Sequence, residues 1–398
     1  MTIAEPERPE TAGTIADAAA NASSKAAAPT DGPRPYYVNF WVDALFIGVG
    51  SIMCFLILRL GSDYGGWSDG RTQLVISWGI WLSWVVNWPH FAATSYRLYR
   101  SKETVSQYPI TAFVVPLILL PATIAALSMP DDFAPWFVKL FMVWSPYHFS
   151  GQTIGIAILY ARRSGFEITP LMRWALTWFV FSTYIGLQAA SEVPGAVYSF
   201  YGITNIPTIG LPAWFRTASH WGTIALGALL IYAAFESSVL KGKKFPIIMA
   251  VPVITQLIWF KLAVGTFNTQ SFLEFVPLFH SIQYLFIAWF MQMKERQLAT
   301  GELGEKRALV RETLVWGAVI FIVGAIMFSW GPWVAAAFFP VSIGVATGVL
   351  QSTVQIHHFF VDGVIWKLRN PRIRQALNTS LDELIHPPVL PGSSGKGH

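Results

Sequence analysis

The sequence predicts an all-α fold, a polytopic helical membrane protein with about ten transmembrane helices and both termini in the cytoplasm. Three observations lead there. Of 398 residues, 54% are hydrophobic and only 12% are charged, about half the charge of an ordinary soluble domain. Mean hydropathy is +0.47. Apolar residues also run on for roughly twenty positions at a time between charged punctuation, the length a helix needs to cross lipid. These runs lack the alternation of barrel strands, and helices are then the way left to pair every backbone N–H and C=O inside a bilayer.

Residues 1–35 are rich in Ala, Thr, Pro and charge and contain no apolar run, so they read as a disordered cytoplasmic tail and not as a cleaved signal. A transmembrane domain is expected over 36–368. Tyr36, Tyr37, Phe40 and Trp41 suit an interface and lead into a first span over 38–60. Further spans are expected over 72–96, 109–128, 135–160, 172–190, 214–235, 245–265, 273–293, 309–329 and 333–366. The last is overlong, and Pro340 is expected to separate an interfacial piece from the crossing helix. Residues 369–398 follow as a cytoplasmic C-terminal tail. The long connection over 191–212 reads as an interfacial aromatic loop, with a lid or re-entrant segment as the alternative.

Basic residues test this order, because positively charged loops stay in the cytoplasm. With ten spans, 22 of the 27 Lys and Arg fall on one side. Only Arg59, Arg71, Lys139, Arg216 and Lys261 fall on the other. The bias sets the orientation expected in a cell inner (plasma) membrane, and it accounts for a net charge of +5 without a nucleic-acid partner. The single cysteine, Cys54, lies inside the first apolar run. An intrachain disulfide is therefore excluded, and any metal is expected to use nitrogen and oxygen ligands.

Candidate chemistry rests on histidine. Of eight histidines, His90, His148, His220, His280, His357 and His358 fall within expected spans, where polar side chains are costly and face the bundle interior. All lie on even-numbered spans. Five such spans would share one parity by chance roughly one time in sixteen, which points to a common site. At about 1.5 Å per helical residue from the next basic residue, His148 and His280 should be coplanar near mid-membrane, with His90 and His358 in a lower layer. His220 should lie highest and is the first to be left out.

The helical spacing adds Gln152 to His148, Gln283 and Tyr284 to His280, and Asp362 to His358. Asp43, near the start of span one, is expected to join Asp362 and to orient an imidazole or bind metal directly. Pro89, Pro146 and Pro277 shortly precede three of the histidines and are expected to open their helices. The metal candidates are thus His90, His148, His280, His357 and His358, with Asp43, Gln152, His220, Gln283 and Asp362 as supporting groups or further ligands. Neutral imidazoles with carboxylate suit iron, copper or zinc. The competing reading makes each histidine a hydrogen-bonding strut between helices.

The stretch Gln355-Ile-His-His-Phe-Phe-Val-Asp-Gly-Val-Ile-Trp-Lys resembles the C-terminal end of a group of uncharacterised bacterial polytopic membrane proteins, over about a dozen residues. In arrangement, single histidines scattered over lipid-embedded helices resemble the bacterial membrane carotene dioxygenases, which implies a non-haem iron. The H-x-x-x-H and H-x-x-H-H boxes of membrane desaturases and alkane hydroxylases are absent, which argues against their di-iron geometry.

The leading expectation is a membrane-embedded, non-haem-iron oxidoreductase. Its substrate would be a lipophilic small molecule such as an isoprenoid, carotenoid, sterol or hydrocarbon, and it would draw electrons from a redox partner. A copper site is a variant of this. The alternatives are a haem-binding electron-transfer subunit with His148 and His280 as axial ligands, a secondary transporter of two five-helix halves, and a scaffold with no site.

Overall fold

The computed structural model describes residues 35–63, 65–66, 68–262, 269–300, 306–366 and 371–386. The expected N-terminal tail lies outside them except at its last position. The described chain is all-α apart from one small hairpin, and a helix coincides with each stretch expected to be helical.

Helix α1 (Phe40–Gly61) starts at Asn39, whose side chain accepts from the Val42 amide at 3.0 Å and so satisfies a donor that the first turn leaves unpaired. A bend at Gly48 interrupts it. A Cβ there would collide with Thr255 Oγ1 and Val251, so the glycine permits close helix contact. Helix α2 (Asp69–Tyr99) continues through Pro89, and a short α3 (Lys102–Gln107), capped by Ser101, leads into α4 (Ile110–Ser128). Helix α5 (Ala134–Arg163) ends at Gly165, whose φ of +66° lets the Phe166 amide reach back to the Ala161 carbonyl at 2.8 Å. Helix α6 (Pro170–Ser191) opens with Thr169 as cap and proline in the first turn.

The connection after α6 is a folded hairpin. Strand β1 (Tyr198–Phe200) pairs antiparallel with β2 (Ile203–Ile206). Tyr201 and Gly202 join them with φ of +49° and +84°, the left-handed pair that a two-residue turn requires. Phe200, Ile203 and Ile206 are buried with Phe141 and Val349 in one apolar cluster. A buried ion pair from Lys139 to Glu192 holds its base, and the Ile209 amide donates to Glu192 at 2.9 Å.

Next come α7 (Ala213–Leu240), α8 (Ile247–Lys261), α9 (Thr269–Thr300) and α10 (Lys306–Phe338). Helix α11 (Ile343–Ile365), capped by Ser342, and the short α12 (Pro371–Leu377) and α13 (Leu381–Ile385) complete the chain. The break expected at Pro340 is present, but Trp333 to Phe338 continue α10 instead of forming a separate interfacial piece. Proline without an N–H ends that helix, and Ser342 starts the next.

Helices α1, α4, α7 and α10 are long and apolar enough to cross a membrane. Helices α2, α5, α9 and α11, which carry the candidate histidines, fall outside that set because they hold more polar side chains, many of them turned inward. Helix α11 packs against α2, α4 and α5, and α9 packs against α2. Large apolar side chains such as Trp214, Ile231, Leu314 and Trp333 are exposed on α7 and α10, as lipid-facing helices require.

The C-terminal segment is built into this fold. Tyr37 Oη donates to the Leu377 carbonyl at 2.9 Å, Arg163 Nη1 donates to the same oxygen at 2.7 Å, and Leu384 is fully buried.

Candidate metal centre

Four side chains from three helices converge where α2, α5 and α11 meet. His358 Nε2 lies 3.1 Å from His90 Nε2, 3.2 Å from His148 Nε2 and 3.3 Å from Asp362 Oδ2. His148 Nε2 is 3.6 Å from the same carboxylate oxygen. His280 adds a fifth group from α9. Its ring centre is 5.2 Å from that of His90 and 5.1 Å from that of His148, and one nitrogen from each of His90, His280 and His358 lies within 4.8 Å of the others.

Hydrogen bonding alone leaves this arrangement unexplained. An imidazole nitrogen offers one in-plane proton or one lone pair, yet three polar atoms crowd His358 Nε2. The separations instead match ligands around a cation in either of two sets that share His358, namely His148 with His358 and Asp362, and His90 with His280 and His358. With metal–nitrogen distances of about 2.1 Å, two ligands lie about 3.0 Å apart at a right angle and about 3.4 Å apart at the tetrahedral angle. In addition, His280 Nε2 is buried without a hydrogen-bond partner, and a metal bound at that nitrogen would give it one.

Neighbouring groups hold the ligand atoms in place. Thr94, one turn beyond His90 on α2, donates from Oγ1 to Tyr284 Oη at 2.6 Å and lies 3.0 Å from His358 Nδ1. With that hydroxyl proton engaged, Oγ1 accepts from Nδ1–H. This assigns the tautomer whose Nε2 lone pair faces the cluster. Trp366 Nε1 donates to Asp362 Oδ1 at 3.2 Å, leaving Oδ2 for the histidines. Such outer partners fix ring orientation and raise ligand basicity. Thr94 and Trp366 each sit four residues from a site residue on the same helix, a spacing that sequence inspection could have used.

Gln152 and Gln283 stand beside the cluster as a cross-brace. Gln152 Nε2 donates to the His280 carbonyl and to Gln283 Oε1, both at 3.0 Å. Gln283 Nε2 in turn reaches the Ile47 carbonyl at 2.6 Å, next to the bend at Gly48. The helix break and the glutamine chain thus satisfy each other.

Three expected members lie elsewhere. His357 points away, because successive helical residues differ by about 100°. Its Nε2 meets the Thr111 carbonyl at 3.2 Å and Tyr99 Oη at 3.3 Å, tying α11 to α4 and α2. His220 is exposed on α7 beside Trp221. Asp43 does not join Asp362, since its carboxylate accepts from the Tyr37 amide at 2.7 Å, the Val38 amide at 3.0 Å and Tyr160 Oη at 2.8 Å, which closes the start of α1. The two expected layers merge into one cluster. His148 and His280 lie side by side as expected, but His90 and His358, expected lower, lie beside them.

An apolar cavity of about 330 Å³ adjoins the cluster. His148 and Asp362 form part of its wall, with Trp144, Phe181, Tyr284 and Trp366. His280 borders a second, smaller cavity of about 40 Å³ with Ser51, Thr255 and Gln256. No protein-family model, curated protein or solved structure matches this chain.

Proposed function

We propose that this chain is a membrane-embedded, non-haem-iron oxidoreductase, an oxygenase acting on a lipophilic substrate. The observation that carries the reading is the meeting of three imidazole Nε2 atoms and one carboxylate oxygen at 3.1 to 3.6 Å, directly beside an apolar cavity. His148, His358 and Asp362, the set beside the cavity, hold the metal, and His90 and His280 form the neighbouring set that shares His358. Imidazole and carboxylate without thiolate suit iron, and iron with free coordination positions would supply dioxygen chemistry; copper is the variant within the same reading. Thr94 and Trp366 orient the ligands, and the aromatic wall excludes water. The tight packing of the rings leaves no planar slot between His148 and His280, so nothing here favours a porphyrin.

In this reading the chain crosses the cell inner membrane ten times with both termini in the cytoplasm. The bias of Lys and Arg supports that orientation, and a cytoplasmic redox partner would supply electrons. The similarity in arrangement to bacterial membrane carotene dioxygenases agrees with it.

The test is elemental analysis with an optical spectrum on one detergent-purified sample that carries no histidine tag. Stoichiometric iron or copper that disappears in His148→Ala and His358→Ala is expected. Full metal in both variants refutes the site. A Soret band moves the assignment to haem, and folded, colourless, metal-free protein moves it to a transporter or scaffold.

A further inference from the structure

The shape of the apolar cavity narrows the substrate class. It follows α5 from Trp144 to Leu159 and reaches Ile287 on α9 and Leu377 at the end of α12. His148 is four residues from one limit and eleven from the other, so the cavity extends about 6 Å beyond the ligand on one side and about 16 Å on the other. The longer arm is about half the hydrocarbon thickness of a bilayer, which is near 30 Å. The candidate metal centre therefore lies toward one end of a channel that follows the helix axes.

One side of this channel is bare backbone. Gly151 and Gly155 on α5 and Gly363 on α11 line it, and a Cβ placed on any of them would meet nothing within 4 Å. These glycines and Tyr147 are exposed. Tyr147, Gly151 and Gly155 lie well inside α5 and Gly363 in the last turn of α11, so the channel opens sideways between α5 and α11. Aromatic faces from Trp144, Phe181 and Trp366 complete an apolar, narrow wall.

We infer that the channel takes a single acyl or prenyl chain, about one leaflet long, loaded laterally from the bilayer with its far end beside His148 and Asp362 and its headgroup end toward Leu377. Chemistry at the far end of that chain rests on the metal reading proposed above. Binding of the chain does not.

The test uses stearic acid bearing a diazirine near its methyl end or near its carboxyl, added to the protein in dioleoylphosphatidylcholine nanodiscs, with photolabelled residues mapped by mass spectrometry. The methyl-end probe is expected to label the segments around Tyr147 and Phe359, and the carboxyl-end probe those around Leu159 and Leu377. Gly155→Leu and Gly363→Leu are expected to reduce both signals roughly tenfold or more, a loss of one order in occupancy. Gly317→Leu on α10, where a Cβ also meets open space away from the cavity, should change nothing. Reversed order of the two probes, labelling indifferent to the leucines, or labelling confined to the outer faces of α7 and α10 each overturns the inference. Metal analysis of the same samples separates the two ideas: ordered labelling in metal-free protein removes the oxygenase reading and leaves the channel standing.

Discussion

Thr94→Val tests whether the cluster is organised as a metal site or as a set of struts. The substitution keeps the shape of the side chain and removes one hydroxyl. That hydroxyl donates to Tyr284 Oη at 2.6 Å, accepts from His358 Nδ1 at 3.0 Å and lies 3.4 Å from Asp362 Oδ1. Its loss leaves His358 free to rotate and to adopt the other tautomer. Loss of an outer partner of a ligating histidine weakens metal binding by about 10 to 100-fold, equivalent to about 1.4 to 2.8 kcal/mol. The assay is competition for iron or zinc against a chelator of known affinity, in wild type, Thr94→Val and Thr94→Ser. The serine variant retains the hydroxyl and should recover most of the affinity. If valine binds metal as tightly as wild type, Thr94 does not orient a ligand and the tautomer argument fails. If serine is as weak as valine, packing and not hydrogen bonding is responsible.

Three further expectations follow from the same geometry. His357→Ala should retain full metal yet melt earlier in detergent, because a half-buried tie to the Thr111 carbonyl is lost at a cost of about 1 kcal/mol; loss of metal would return His357 to the ligand set. Asp43→Asn should likewise spare the metal while loosening the start of α1, at about 1.5 to 3 kcal/mol for its charged hydrogen bonds, measured as faster amide exchange at Tyr37 and Val38. Glu192→Gln should leave Lys139 as an uncompensated buried charge and destabilise by about 3 to 5 kcal/mol; proteolysis within the hairpin is the readout, and unchanged resistance would show that the pair is not what holds it.

Much of the fold was legible because lipid imposes a strong rule: a backbone that cannot bond to water must bond to itself. Long apolar runs therefore located the helices, and Pro340 located the break before α11. The hairpin over Tyr198 to Ile206 was harder to see. Its left-handed turn uses Tyr201 as well as Gly202, and tyrosine is not a usual signal for that conformation. Depth from basic residues placed His148 and His280 together but set His90 and His358 too low, because the distance from a helical residue to the next basic residue is not fixed by packing.

The sequence by itself determined which residues were candidates for chemistry. Ionisable side chains on apolar helices are costly in lipid, and that physical penalty singled out His90, His148, His220, His280, His357, His358 and Asp362 without any structure, although His220 is exposed in the fold. Only the tertiary structure decided which of them meet. Asp43 and Asp362 looked alike as buried carboxylates, but local backbone amides claimed the first, and the rotation of α11 brought the second to the histidines. His357 and His358 are neighbours in sequence, and the 100° step of the helix gave one to α4 and the other to the cluster. Helix rotation and pairing depend on side-chain packing summed over the whole bundle, which no local stretch of sequence contains.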